Sequence, residues 1–244
     1  LHQRYWSGQQ VGAQCRLLSP IQTSRLVDQC RQHGVSVTGA LVAAFLLAHA
    51  TTRRGSQPRV CRVALAVNIR DRMTRSPGRA VGIYASSVDI CVRAAVTGDV
   101  WALAHECHSR IQGVLQRRAY ILRTLVLDEL DPRIADAFIG AIATGEWGRG
   151  FGLVNPLLHL RGEARCLNVS NIGRVNLPDV GTPYRIQSLI PFPPIVPGGD
   201  LSVNVLTTLE QMCLVLRYRE QQLLSSQAIQ VMDQALGYLL GTES

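Results

Sequence analysis

Lysine is absent from this sequence: all 25 basic residues are arginine, and against 17 acidic residues they leave a formal net charge of +8. Such a composition reflects a GC-rich gene before it reflects a function. Aromatic residues are scarce as well, at 5% of the chain. Nucleic-acid platforms set basic runs among aromatics on which bases stack, and no such run occurs, so no nucleic-acid partner is expected. Arginine scattered evenly reads as a solvated surface, with a basic mouth that receives phosphate as the alternative.

Other absences narrow the class further. The seven cysteines, Cys15, Cys30, Cys61, Cys91, Cys107, Cys166 and Cys213, are odd in number and contain no C-x-x-C pair. They read as free thiols in a reducing cytoplasm, not as a disulfide or zinc framework. The longest apolar run, Ala40 to Ala50, is interrupted by His49 and is about half of the roughly 20 residues a bilayer span needs. Initiator methionine and secretory leader are both missing at Leu1, so the chain is expected to start in mid-protein. Gly145, Gly148, Gly150 and Gly152 precede no Gly-Lys-Ser/Thr and follow no strand into a helix, which excludes a phosphate-binding P-loop and a dinucleotide fingerprint. His105-Glu106-Cys107-His108 places two histidines three apart on one helix face, without the i, i+4 spacing of zinc proteases or a third ligand nearby, and no metal is expected.

What remains is a chain of 244 residues, 47% hydrophobic, long enough for one well-cored domain or lobe. Ser19 as N-cap, Pro20 at the first helical position and Gly34 beyond the end punctuate a first amphipathic helix. A second, from Thr38 to Arg54, is apolar nearly all round and must be buried. Arg59 to Asn68 reads as a central strand, because it is short, rich in β-branched residues and almost continuously apolar. Another strand is predicted over Gly82 to Val92, a helix from Asp99 to Arg117, and weaker helices over Ala119 to Glu129 and Pro132 to Ala143. Strands follow at Arg165 to Ser170, at Tyr184 to Ile190 and in a hairpin of Leu201 to Thr207 with Met212 to Arg219. A last helix, Ser225 to Leu240, is capped by Ser225 or Ser226. No internal repeat or low-complexity linker appears, so one mixed α/β lobe is the economical reading.

The ordered phrases carry a resemblance. Gly34-Val35-Ser36-Val37-Thr38 leads into the Ala-rich helix; Val67-Asn68-Ile69-Arg70-Asp71-Arg72 ends a strand; Val81 to Ser86 reads V-G-I-Y-A-S. Val169-Ser170-Asn171-Ile172-Gly173 ends another strand, and the closing hairpin and helix follow. This set is similar to the C-terminal half of acyltransferases of the chloramphenicol acetyltransferase and condensation-domain superfamily, of the polyketide-associated or alcohol acyltransferase type, over residues 15 to 241. The resemblance implies an α/β fold with a mixed, largely antiparallel sheet flanked by helices, one lobe of two. Residues 1–14 would then be an interlobe linker or lead-in strand, and 15–244 the C-terminal lobe. The superfamily's H-H-x-x-x-D motif, whose second histidine is the general base, is absent: none of the six histidines has a histidine neighbour and an aspartate four residues on.

That resemblance further implies an N-terminal lobe supplying the histidine, and a fragment that is inactive alone. The donor would be an acyl-coenzyme A or phosphopantetheine thioester, with no permanently bound cofactor, and the acceptor a small alcohol or amine; an acyl carrier protein is a further implied partner. Arg70 would pair with the aspartate of the missing motif, with a solvated strand-end arginine as the plain alternative. Ser170 and Asn171 would bring hydroxyl and amide donors toward the oxyanion, or merely form a turn before Gly173. Gly82, Tyr84 and Ser86 would line the substrate tunnel. A non-catalytic carrier-protein docking module and the C-terminal lobe of a peptide-synthetase condensation domain stay open beside this reading.

Overall fold

The computed structural model describes residues 10–52, 59–78, 80–82, 84–94, 98–121, 125, 129, 131, 133, 165–177, 186–192 and 199–241. Its elements are β1 (Val11–Leu17), α1 (Pro20–Gln32), α2 (Val37–Thr52), β2 (Arg59–Asn68), a 3-10 turn (Arg70–Arg72), β3 (Ala85–Ala94), α3 (Val100–Gln116), β4 (Arg165–Arg174), β5 (Gly199–Thr208), β6 (Gln211–Arg219) and α4 (Ser225–Leu240). The strands form one sheet in the order β1-β6-β5-β4-β2-β3. β2, β4 and β5 run parallel to one another, and the outer pairings β1–β6, β5–β6 and β2–β3 are antiparallel. The sheet is therefore mixed, as the resemblance implied.

Local chemistry explains the helix boundaries. Ser19 Oγ accepts from the Gln22 N–H at 3.2 Å and Gln22 Oε1 accepts from the Ser19 N–H at 3.0 Å, a reciprocal cap on α1. The helix stops where Gly34 takes a φ of +62°, a left-handed conformation that favours glycine. Asp99 caps α3 by accepting from the Trp101 N–H. α4 differs from expectation: its N-cap is Leu224, and the cap bond runs from the Leu224 N–H to Gln227 Oε1. Ser225, the expected cap, is instead engaged by the Tyr218 hydroxyl at 2.9 Å.

α2 is the hub. Ala40 through Ala48 are all buried, and this helix packs on α3 and α4, which is why it can be apolar on every side. Gly39 permits the closest approach to α3, since a β-carbon there would lie 3.3 Å from the Ala104 carbonyl and the His108 Cα.

Alternation along the strands divides the sheet into two faces. Leu167 and Val169, Val203 and Val205, and Leu214, Leu216 and Tyr218 face the helices. That assignment is fixed by the bonds of Asn171 to Thr38 on α2, of Tyr218 to Ser225 on α4 and of Arg16 to Asp233 on α4. The opposite face carries Ser170, Ser202, Asn204, Arg217 and the Arg62–Asp89 ion pair, closed at 2.8 Å with both side chains largely buried. Phe192 lies against it, under the Arg217 guanidinium at 4.2 Å.

Two strand expectations are corrected. β3 begins at Ala85, not Gly82, because β2 ends at Asn68, whose register partner is Ala85; one further bond, from the Ile69 N–H to the Tyr84 carbonyl, closes the pair before the chain turns into the 3-10 segment. The strand expected over Tyr184 to Ile190 does not form at residues 186–190, which are irregular. Of the weaker helices, positions 119–121, 125, 129 and 133 are helical; the remainder, and the glycine loop at 145–152, lie outside the described residues. The boundary expected at Cys15 falls within β1, which is paired to β6 from Val11 onward. Among the described residues no single helix is long and apolar enough to cross a membrane.

Candidate functional site

A pocket of about 570 Å³ opens where β2 ends. It is lined by Ser36 and Thr38 at the start of α2, Leu65 to Asn68 of β2, Asp71 and Arg72 of the following turn, Val88 of β3, and Ile111, Gln112 and Leu115 of α3. Its place follows from the topology. The carboxyl end of a parallel strand and the amino end of the helix packed on it meet at the same edge of an α/β layer, where loops part and backbone N–H groups point outward. Leu65, Val67, Val88, Ile111 and Leu115 give it an apolar floor, and Ser36, Thr38, Asn68, Asp71, Arg72 and Gln112 give it a polar rim.

The rim is held from behind. His108 of α3 accepts the Ser36 backbone N–H at Nδ1, at 3.1 Å, and the Ser36 hydroxyl lies 3.1 Å from the same nitrogen. Nδ1 is thus the unprotonated ring nitrogen, and α3 fixes the start of α2 through it. Ser36 Oγ in turn accepts from the Gly39 N–H. On the other flank Asn171 Nδ2 donates to Thr38 Oγ1 at 3.2 Å, while its Oδ1 accepts from the Gly173 N–H. β4 and α3 therefore clamp the same helix start from two sides.

Arg70 sits beside the pocket and outside its lining. Its guanidinium donates to the Gly78 carbonyl at 2.6 Å and the Ala80 carbonyl at 3.2 Å, and it lies over the Tyr84 ring at 4.1 Å. Asn68 Oδ1 accepts from the Arg70 backbone N–H, turning the chain out of β2. Arg70 thus folds the segment after β2 back on itself, and Tyr84 is the stacking surface. Gly82 lies in that segment as a bend. Ser86 donates to the Tyr120 carbonyl, and Tyr120 packs under Arg72 at 5.5 Å, so Ser86 supports the rim from one layer back.

Ser170 and Asn171 are separated. Adjacent residues of a strand point to opposite faces, and with Asn171 bonded to α2, Ser170 lies on the other face beside Asn204. None of Arg70, Gly82, Tyr84, Ser86, Ser170 and Asn171 lines the pocket itself; Asn171 bonds Thr38 of the lining, Ser86 stands opposite Val67 of the lining, Arg70 precedes Asp71 and holds Tyr84, and Ser170 lies across the sheet. Ser36, Thr38, Asn68, Arg72 and His108 were not singled out by sequence reasoning as site residues. All but His108 stand inside the quoted phrases, and a serine three residues before a glycine at a helix start was the usable signal for Ser36.

Along His105–His108 the side chains divide: His105 is exposed and the other three are engaged. Glu106 pairs with Arg110, His108 serves Ser36, and Cys107 is fully buried. Burial, helped by the neighbouring Glu106 charge and opposed by Arg110, pushes the Cys107 thiol up to about 12.

This mixed six-stranded sheet with its helices has the fold of acyltransferase and condensation domains, about half of which it spans. The epimerization domain from the third module of tyrocidine synthetase B superposes with a TM-score of 0.59 at 15% identity, over 95% of this chain and 47% of that one. Polyketide synthase associated protein 5 from Mycobacterium tuberculosis gives 0.58 at 14% identity, over 95% and 51%. Trichothecene 15-O-acetyltransferase from Fusarium sporotrichioides gives 0.61 at 12%, over 96% and 47%. The chain spans about half the length of these structures. It belongs to the family described as phthiocerol/phthiodiolone dimycocerosyl transferase C-terminus, which matches residues 7–189, three quarters of the sequence. No curated protein matches it in sequence.

Proposed function

We propose that this chain is the C-terminal lobe of an acyltransferase that moves an acyl group from a coenzyme A or carrier-protein thioester to an alcohol or amine, with the general-base histidine supplied by an N-terminal lobe carrying H-H-x-x-x-D. The observation that carries the reading is the pocket at the end of β2, in a chain of this family. Its volume falls in the range of small-molecule sites; its apolar floor suits an acyl chain, and Arg72 at the rim suits the phosphate of a thioester carrier.

In this reading the acyl chain lies over Leu65, Val67 and Ile111, and the N–H groups at the start of α2 favour negative charge that develops nearby. Asn171 acts through Thr38 as a positioning residue. Arg70 holds the segment after β2 and, since a guanidinium has five N–H donors, retains N–H groups for the aspartate of the missing motif. Ser170, on the other face, serves the acceptor side of the cleft.

The test uses the full-length protein, N-terminal half included, with Gln112→Trp, an exposed rim position whose new ring would fill the pocket. The expected result is a loss of at least tenfold in kcat/KM for long-chain acyl thioesters with acetyl transfer little changed. Equal rates for both donors would remove the pocket from the acyl path. Carrier-protein binding without turnover of any donor would favour a docking module, and amide formation restricted to aminoacyl carriers would favour a condensation domain.

A further inference from the structure

Cys15 on β1 and Cys213 on β6 bring their sulfurs to 3.6 Å. In the antiparallel register Cys15 stands opposite Val215 and Cys213 opposite Leu17, so the two are diagonal neighbours on the sheet face away from the helices. They differ in access, since Cys15 is exposed and Cys213 is buried, with 1% of its surface open. A small oxidant therefore meets Cys15, and the second thiol waits beside it.

We infer that Cys15 and Cys213 form a hydroperoxide-responsive dithiol, in which Cys15 takes the oxygen and Cys213 closes a disulfide that staples β1 to β6. In the first step the Cys15 sulfur attacks the terminal oxygen of a hydroperoxide; the O–O bond breaks, an alcohol or water leaves, and Cys15 becomes a sulfenic acid. In the second, the Cys213 sulfur attacks the Cys15 sulfur, the S–O bond breaks and water leaves with the Cys213 proton. Two thiols lose two electrons and one hydroperoxide gains them.

The geometry suits the second step. A separation of 3.6 Å is close to the roughly 3–3.5 Å of a near-attack arrangement, and closing to a bond of about 2.05 Å needs one strand to move by about 1.5 Å. β1 can supply that movement because, among the described residues, it stands at the end of the sheet with β6 as its one strand neighbour. Burial, then the hydrogen bond and charge of Cys15, push the Cys213 thiol up to about 12, and the same burial screens it from a peroxide in solution, so the exposed Cys15 sulfur is the one the oxidant reaches. This inference does not rest on the acyltransferase reading.

The experiment treats the full-length protein with a small excess of hydrogen peroxide, blocks remaining thiols and maps peptides by mass. A Cys15–Cys213 linked peptide that dithiothreitol dissolves is expected. With Cys15→Ser, an exposed substitution, the linked peptide should vanish and Cys213 should stay reduced; with Cys91→Ser it should persist unchanged. Accumulation of Cys15 sulfinic acid with Cys213 still reduced would overturn the inference, as would pairing of Cys15 with a thiol of another molecule.

Discussion

His108 shows how a single ring nitrogen can shape a pocket that it does not line. Its Nδ1 receives the Ser36 N–H at 3.1 Å, and removing that acceptor leaves a half-buried donor unpaired, at a cost of about 1–2 kcal/mol. His108→Ala is therefore expected to lower the unfolding free energy by that amount in urea titrations, whereas His105→Ala, on the exposed side of the same helix, should change it by less than about 0.5 kcal/mol. The buried thiols make a second prediction at this scale. Burial raises Cys30 from 9.0 to about 11 and Cys107 to about 12, so the folded state keeps protons that the unfolded chain releases. Their contribution is fully present below pH 9 and is lost as pH rises toward 11 and 12; by about pH 10 each should have cost roughly 1 kcal/mol. Urea midpoints that hold steady from pH 8 to 10 would contradict it. The turn before Gly173 was legible at Asn171, whose Oδ1 accepts from the Gly173 N–H, because that chemistry is local. What each side chain grips was not: Arg70 binds Gly78 and Ala80 through a loop whose path only the folded chain defines.

The β5–β6 hairpin turns through Leu209 and Glu210, at φ values of 47° and 63°. Both central residues in the left-handed region define a type I′ turn, a geometry that favours Asn-Gly and strains larger side chains. Leu209→Asn combined with Glu210→Gly is expected to raise stability by about 1 kcal/mol and the melting temperature by a few degrees; an unchanged or lower melting temperature would argue against that turn. The hairpin itself was legible from its two apolar runs, and its turn type was not, because Leu-Glu carries no such signal. Helices α1, α3 and α4 were readable to within a residue or two, since caps and 3.6-residue periodicity act locally. Strands were read well in β2 and β6 and poorly at the start of β3 and at 186–190. Alternating apolar residues make a strand only where a neighbouring strand supplies partners, and that neighbour is distant in sequence.

At the scale of the whole molecule, the order β1-β6-β5-β4-β2-β3 joins the first strand to the last and sets β4 between β2 and β5. No local pattern encodes that order, and it is what puts Asn171, Thr38, Ser36 and His108 around one pocket and Ser170 on the other face. The helices cover one side of the sheet, while the other carries serine, asparagine and a buried Arg62–Asp89 pair. In the proposed reading the lobe contributes a channel wall and positive helix ends to a reaction whose proton acceptor comes from elsewhere. The most direct measurement compares acyl transfer, followed as thiol release from acyl-coenzyme A and acyl-carrier donors with alcohol and amine acceptors, by this chain alone and by the same chain joined to its N-terminal half. Turnover that requires the joined protein, and is abolished when the second histidine of H-H-x-x-x-D is replaced by alanine, is the predicted result. Equal turnover by this chain alone, or none from the joined protein with any donor, would contradict the account.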